Sequence, residues 1–190
     1  MIGAEKLPYV NKAKVLGVWL QCDLKWDSQV ENMIKKANQR LFMLRSVNKF
    51  GFDHEELVTI YKSYVRPIIE YGDVVWHSGL SQQQAYDLER IQKRACRTIL
   101  GFNNYTSYLK ALDTCGLNSL HERRDKHCLK FASGLADNER TKHLMPPLRS
   151  AIHGRNLRNS NHLSQLPFKT KRFQQSPIPY FVSLVNQNIK

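Results

Sequence analysis

Apolar residues recur along this chain with helical spacing from about position 30 onward, and the stretch before that reads differently. Val15 to Leu20 form one short run, rich in strand formers and interrupted by Gly17, which predicts a short strand or the edge of a hairpin. Val30, Ile34, Ala37, Leu41 and Leu44 then alternate steps of four and three, the stripe of an amphipathic helix. Ser28 and Glu31 stand at capping-box spacing before it, and Gly51 is its stop signal. Asp53 and Glu56 repeat the capping spacing ahead of a second stripe, Leu57, Ile60, Tyr61, Tyr64, Val65 and Ile68. Pro67 lacks an amide donor and is predicted to kink or end that helix. Past Gly72 and Val74-Val75-Trp76, a third helix is predicted from Ser81, with Leu88, Ile91, Ala95 and Ile99 on one face and Gly101 at its end. A short helix over Ser107 to Thr114 follows, then a fifth after Ser119, paired with Glu122 and carrying Leu120, Cys128, Phe131 and Leu135 on its apolar side.

Beyond Arg140 the periodicity stops. The last stretch carries nine Lys or Arg, no Asp or Glu, and prolines at 146, 147, 167, 177 and 179, so it reads as basic and largely extended. The predicted fold is therefore mainly α: a helical bundle over residues 27–139, a short β element over 1–26, and an extended basic region over 140–190.

Charge adds a partner to this outline. The chain carries 29 Lys+Arg against 16 Asp+Glu, a formal +13, which points to a polyanion such as nucleic acid. The excess is uneven, 11 basic and 9 acidic residues up to Ser78 but 18 and 7 from Gly79 onward. On the third helix Arg90, Lys93, Arg94 and Arg97 lie nearly opposite the apolar face, and they are the first candidate phosphate contacts. Arg155, Arg158, Lys169, Lys171 and Arg172 in the basic end form a second group, with Phe168 and Phe173 interleaved; Lys36 and Arg40 are weaker candidates. A solvated polar face competes with the first group, and docking of the two rings on the domain competes with the second. No run approaches a membrane span and the first ten residues lack a signal-peptide core, so an intracellular protein, nuclear or cytoplasmic, without a membrane partner is expected. Cys22, Cys96, Cys115 and Cys128 are read as reduced thiols.

Several segments taken together resemble one family. Val15-Leu16-Gly17-Val18 followed by Leu24-Lys25-Trp26, then Tyr61-Lys62-Ser63-Tyr64-Val65-Arg66-Pro67 with Glu70-Tyr71-Gly72 and Trp76, resembles the region after the palm in reverse transcriptases of non-LTR (LINE-type, jockey-like) retrotransposons. Leu88-Glu89-Arg90-Ile91-Gln92-Lys93-Arg94-Ala95 with Ile99-Leu100-Gly101, and Leu117, Leu120, Arg123 and Arg124, continue the same order. The ending, Lys171-Arg172-Phe173 with Ser176, Ile178-Pro179-Tyr180 and Asn186, is similar as well. The resemblance implies that Leu16, Gly17 and Val18 belong to a primer grip and that the following helices form a thumb beside template RNA or an RNA/DNA primer duplex.

The chain also departs from that family. An RNA-directed DNA polymerase holds Mg²⁺ on paired palm aspartates, whereas Asp23, Asp27, Asp53, Asp73, Asp87, Asp113, Asp125 and Asp137 stand singly. The expectation is a C-terminal fragment inactive as a polymerase alone, with no catalytic residue and no cofactor of its own, Mg²⁺ belonging to the missing palm and fingers. Two alternatives stand beside it: a structural subdomain that docks onto a separate palm, and a non-functional pseudogene remnant. Trp19, Trp26 and Trp76, and the series Tyr61, Tyr64 and Tyr71, are expected in the core. Cys115, His121, His127 and Cys128 invite a zinc reading, weakened by the lack of a C-x-x-C pair.

Overall fold

A computed structural model of the chain describes residues 9–101, 104–152 and 158–189. It is mainly helical, with a two-stranded antiparallel hairpin before the bundle. Strands β1 (Lys12–Val15) and β2 (Val18–Gln21) pair Val15 with Val18 across a two-residue turn. Leu16 and Gly17 both have positive φ there, +46° and +89°, as a type I′ hairpin turn requires. Among the described residues no helix is long and apolar enough to cross a membrane.

Helix α1 (Asp27–Asn48) buries Val30, Met33, Ala37, Leu41 and Leu44 and packs most extensively on α5 (Gln82–Leu100). Its expected capping box is not formed. The backbone N–H of Ser28 donates to Gln21 Oε1 at 2.8 Å, so β2 rather than a serine cap fixes where α1 starts. The expected box at Asp53/Glu56 does close, Ser81 forms a box with Gln84, and Ser119 accepts from the Glu122 amide at 3.2 Å.

Pro67 neither ends nor sharply breaks the second helical segment. Helix α2 (His54–Ile60) runs into a five-residue π turn, Tyr61–Val65, and continues as α3 (Arg66–Glu70), with Pro67 in the first turn of α3. A proline in a regular helix interior costs about 3 kcal/mol, because its ring meets a carbonyl one turn back and it donates no hydrogen bond. The π turn resets the register so that Pro67 occupies a first-turn position, where no donor is needed. From α1, Arg40 Nη1 donates to the Tyr64 carbonyl at 2.6 Å, and the guanidinium lies 4.1 Å from the Tyr64 ring centre.

After α3 the chain turns sharply at Gly72 (φ +66°) into α4 (Asp73–Trp76). This turn and the hairpin turn interlock. Tyr71 Oη donates to the Leu16 carbonyl at 2.8 Å. A Cβ on Gly17 would stand 3.0 Å from the Tyr71 ring, and one on Gly72 would stand 3.1 Å from Val18 Cγ2. The tyrosines expected in the core divide accordingly: Tyr61 is fully buried, whereas Tyr64 and Tyr71 are 36% and 57% exposed. Of the tryptophans, Trp76 is fully buried, and Trp19 and Trp26 are half-buried.

Helix α6 (Tyr108–Cys115) completes the first core with α1, α2, α3 and α5, while α7 (Leu120–Asp137) leads into a second. That smaller core joins Cys128, Ala132 and Leu135 of α7 to Met145, Phe181 and Val182. The region after Arg140 was expected to be largely extended. Its described residues include the short helices α8 (Arg149–Ile152) and α9 (Lys171–Gln174) and the twelve-residue α10 (Pro177–Asn188), packed on α7. Pro177 and Pro179 do not oppose α10, since both fall in its first turn, where amides lack helical partners anyway.

Candidate nucleic-acid interface

The hairpin, α1 and the π turn with α3 enclose a groove of about 670 Å³. Strand alternation turns Lys14 into it, and the i, i+4 spacing on α1 places Lys36 and Arg40 along its floor. Gly17, Tyr64 and Tyr71 also line it, and among the described residues no carboxylate does. Residues 16–18, assigned to a primer grip by resemblance, thus stand beside two of the predicted basic contacts. Their exposure differs: Leu16 projects at 88% exposed, Gly17 borders the groove, and Val18 is buried in the first core.

The stripe on α5 is not uniform. Arg90 pairs with Asp87 at 3.2 Å, and Lys93 Nζ lies 5.0 and 5.1 Å from the Tyr86 and Tyr108 ring centres. Arg94 and Arg97 instead line a crevice with Arg45 and Lys49, near the C-terminal ends of α1 and α5. Lys14, Arg45 and Lys49 were absent from the sequence-derived contacts. Arg45 follows Arg40 by five residues, which carries Arg45 and Lys49 to the opposite side of α1 from Lys36 and Arg40, so their meeting with Arg94 and Arg97 needed α5 placed against that side, as Lys14 needed the hairpin placed against α1.

The late basic residues do not form one patch with these. Arg158, Lys169 and Lys171 are exposed, and Arg172 lines a separate groove beside Trp26 and Ser81. Arg155 lies outside the described residues.

A polar cluster lies between α4, α7 and α10. Arg123 Nε and Nη2 donate to Glu70 at 2.5 and 3.0 Å, and His127 Nδ1 donates to Asp73 at 2.5 Å. Arg124, fully buried, donates from Nε to His77 Nδ1 at 3.1 Å. An arginine Nε always carries a proton, so His77 must keep its own on Nε2, where it donates to Asp125 Oδ1 at 2.8 Å. Tyr180 Oη donates to the same oxygen at 2.5 Å, and His121 Nδ1 stands 3.1 Å from Oδ2. Ligand atoms of His77, His121 and Asp125 come within 4.8 Å of one another, but the His77 nitrogen facing the others is occupied by a proton. The cluster therefore reads as a hydrogen-bonded clasp holding α10 to α7. The sulfur ligands of the zinc reading lie apart: Cys115 in the first core, Cys128 in the second, with His127 turned to Asp73. Asp73 and Asp125, tied to histidines and a tyrosine, do not fit the paired, metal-facing carboxylates of polymerase chemistry.

Burial, above all, pulls the His77 imidazole from its ordinary 6.5 down to about 4, against the opposing pull of Asp125. Between these values the unfolded chain takes up a proton that the folded chain refuses. Stability should therefore be flat above about pH 6.5 and fall by about 3 kcal/mol as pH drops to about 4. Asp73, raised by burial, opposes this, since its folded form takes up a proton more readily than the unfolded chain. Urea midpoints at neutral and mildly acid pH in the parent and His77→Asn check the assignment. An equally steep acid loss in the variant would remove His77 as its source.

Neither a family model, nor a curated protein, nor a solved structure matches this chain.

Proposed function

We propose that this chain is the thumb and basic tail of a non-LTR retrotransposon reverse transcriptase, and that it holds template RNA or an RNA/DNA primer duplex without reading its sequence. The observation that carries this reading is the groove in which Lys14, Lys36 and Arg40 gather beside Gly17 of the hairpin turn, with no carboxylate among its described lining residues. Cations so placed meet phosphates and position a nucleic acid rather than specify it. Polymerisation and its Mg²⁺ belong, on this reading, to palm and fingers that this chain does not supply. Work in the nucleus or cytoplasm accords with it.

Salt dependence tests it. Three cations on a duplex give a log–log slope of about −2.7, and Lys36→Gln should make it shallower by about 0.9. Fluorescence anisotropy of a labelled RNA/DNA hybrid over a salt series measures both. Binding indifferent to salt, or none at low salt, would overturn the proposal.

A second reading has its own support. Val15 and Leu16 on the hairpin, and Phe42 on the outer side of α1, are each at least half exposed. Apolar side chains on both elements suit a protein surface docking there, such as a separate palm. Complex formation with that palm in the absence of nucleic acid would favour this reading over the first.

A further inference from the structure

The two edges of the hairpin are not alike. Val15 and Val18 close a two-residue turn, and in such a hairpin the closing residues exchange both ladder bonds. Bonded pairs recur at every second position, so Ala13 and Leu20 form the next, and the Cys22 N–H donates to the Asn11 carbonyl at 2.9 Å. Lys12 and Lys14, opposite Gln21 and Trp19, therefore turn their N–H and C=O groups away from the ribbon. On the β2 side this outward row meets α1, where the Trp19 N–H donates to Gln29 Oε1 at 3.0 Å. On the β1 side, among the described residues, the outward groups of Lys12 and Lys14 meet no partner, and all four residues of β1 are exposed. Neither a proline nor a bulge blunts this edge.

Side chains select the strand that fits it. Lys12 and Lys14 Nζ stand 5.6 and 6.0 Å from the Trp19 ring centre, so both ammoniums share one face of the ribbon. Residues 9–21 contain no Asp or Glu, and Asp23 just beyond pairs with Lys25 at 3.6 Å. Tyr9, Val10, Val15 and Leu16 are each at least half exposed along the same stretch. A second copy of the chain is a poor occupant, because antiparallel pairing of β1 with itself sets lysine against lysine, and like charges directly opposite destabilise a ladder. The same lysines suit a strand with carboxylates on that face. By the period of two, such a strand lays its intervening side chains beside Ala13 and Val15 on the other face, where apolar residues fit.

We infer that the outer edge of β1 takes up an extended strand of a partner protein, acidic at every second position and apolar and β-branched between, as the third strand of the sheet. This interaction surface goes beyond both readings above and needs neither a nucleic acid nor a palm.

A labelled peptide of about eight residues alternating Glu and Val, within the ordinary length of a strand, tests it on the full chain by fluorescence anisotropy. Its counterpart methylated on every backbone nitrogen keeps the charges and side chains and lacks the ladder donors. The unmethylated peptide is expected to bind at least about tenfold more tightly, since main-chain bonds supply the affinity of strand addition. Lys12→Pro removes an outward donor and none of the hairpin's own bonds, and is expected to abolish that difference. Lys12→Gln, with the same loss of charge, is expected to keep it. Amide exchange followed by NMR should slow at least about tenfold at Lys12 and Lys14 when the peptide binds, and change less at Ala13. NMR spectra show whether Lys12→Pro keeps the hairpin; if it does not, the two peptides on the parent chain decide. Equal binding of the two peptides, no binding of either, a folded Lys12→Pro that behaves as Lys12→Gln, or exchange at Lys12 and Lys14 already slow without peptide would each overturn the inference.

Discussion

Trp76→Ala is expected to lower stability by about 4 kcal/mol, among the largest losses from any single truncation in the chain. The indole is fully buried, and replacing such a ring with alanine costs roughly 3–5 kcal/mol in lost burial and cavity formation. It also donates from Nε1 to the Tyr71 carbonyl at 3.0 Å, so the residue that breaks α3 and backs the hairpin turn loses its anchor. Trp76→Phe keeps most of the apolar area and loses only the donor, so it should cost about 1–2 kcal/mol. Urea unfolding by circular dichroism separates the two, provided the slope with denaturant is unchanged. A midpoint for Trp76→Ala within about 1 kcal/mol of the parent would mean that the site collapses around the deletion and that the core is not organised on this ring.

Gln92→Leu comes next, at about 3 kcal/mol, although it exchanges a polar residue for an apolar one of similar size in a buried position. Gln92 is fully buried; its Oε1 accepts from Tyr61 Oη at 2.7 Å, and its Nε2 donates to the Asn118 carbonyl and to Tyr108 Oη, both at 2.9 Å. Tyr108 keeps Glu89 as a partner, but Tyr61 Oη and the Asn118 carbonyl lose theirs, at about 1–3 kcal/mol for each buried group left unpaired. The double variant Tyr61→Phe/Gln92→Leu removes one orphan and should recover at least 1 kcal/mol over Gln92→Leu alone. Additive losses in that cycle would show that the Tyr61–Gln92 hydrogen bond contributes nothing to stability.

Gln92 also marks where sequence reading stops. The apolar face of α5 was legible at Leu88, Ile91, Ala95 and Ile99, and Gln92 falls within that face, so a polar residue in the core could have been noticed. Its partners lie 31, 16 and 26 positions away, and nothing local identifies them. The same boundary runs through the rest of the fold. Pro67 announced a disturbance, but its form as a π turn goes with the Arg40 side chain arriving from another helix. The Ser28 cap was a sound local expectation overridden by Gln21, a residue of the preceding strand. Prolines at 177 and 179 suggested extended chain because composition does not say whether a proline falls in the first turn of a helix or its middle. At the interface, helical spacing was enough to propose Lys36, Arg40, Arg94 and Arg97. It could not show that the first two share a groove with Lys14 while the others face Arg45 and Lys49, because that depends on how the hairpin and α5 cross α1.

The interlock of the two turns has a consequence for how such a chain can change over generations. A Cβ at Gly17 would press on the Tyr71 ring and one at Gly72 on Val18, and both glycines hold a left-handed backbone that L side chains rarely adopt. Segments more than fifty positions apart are therefore not free to drift separately. A methyl gained at 17 is strained by its own backbone and also needs the Tyr71 ring to give way, and a bulkier residue at 18 presses on 72. Among descendants of this sequence both glycines should be kept, while the side chains at 71 and 18 vary only within the space the two turns leave.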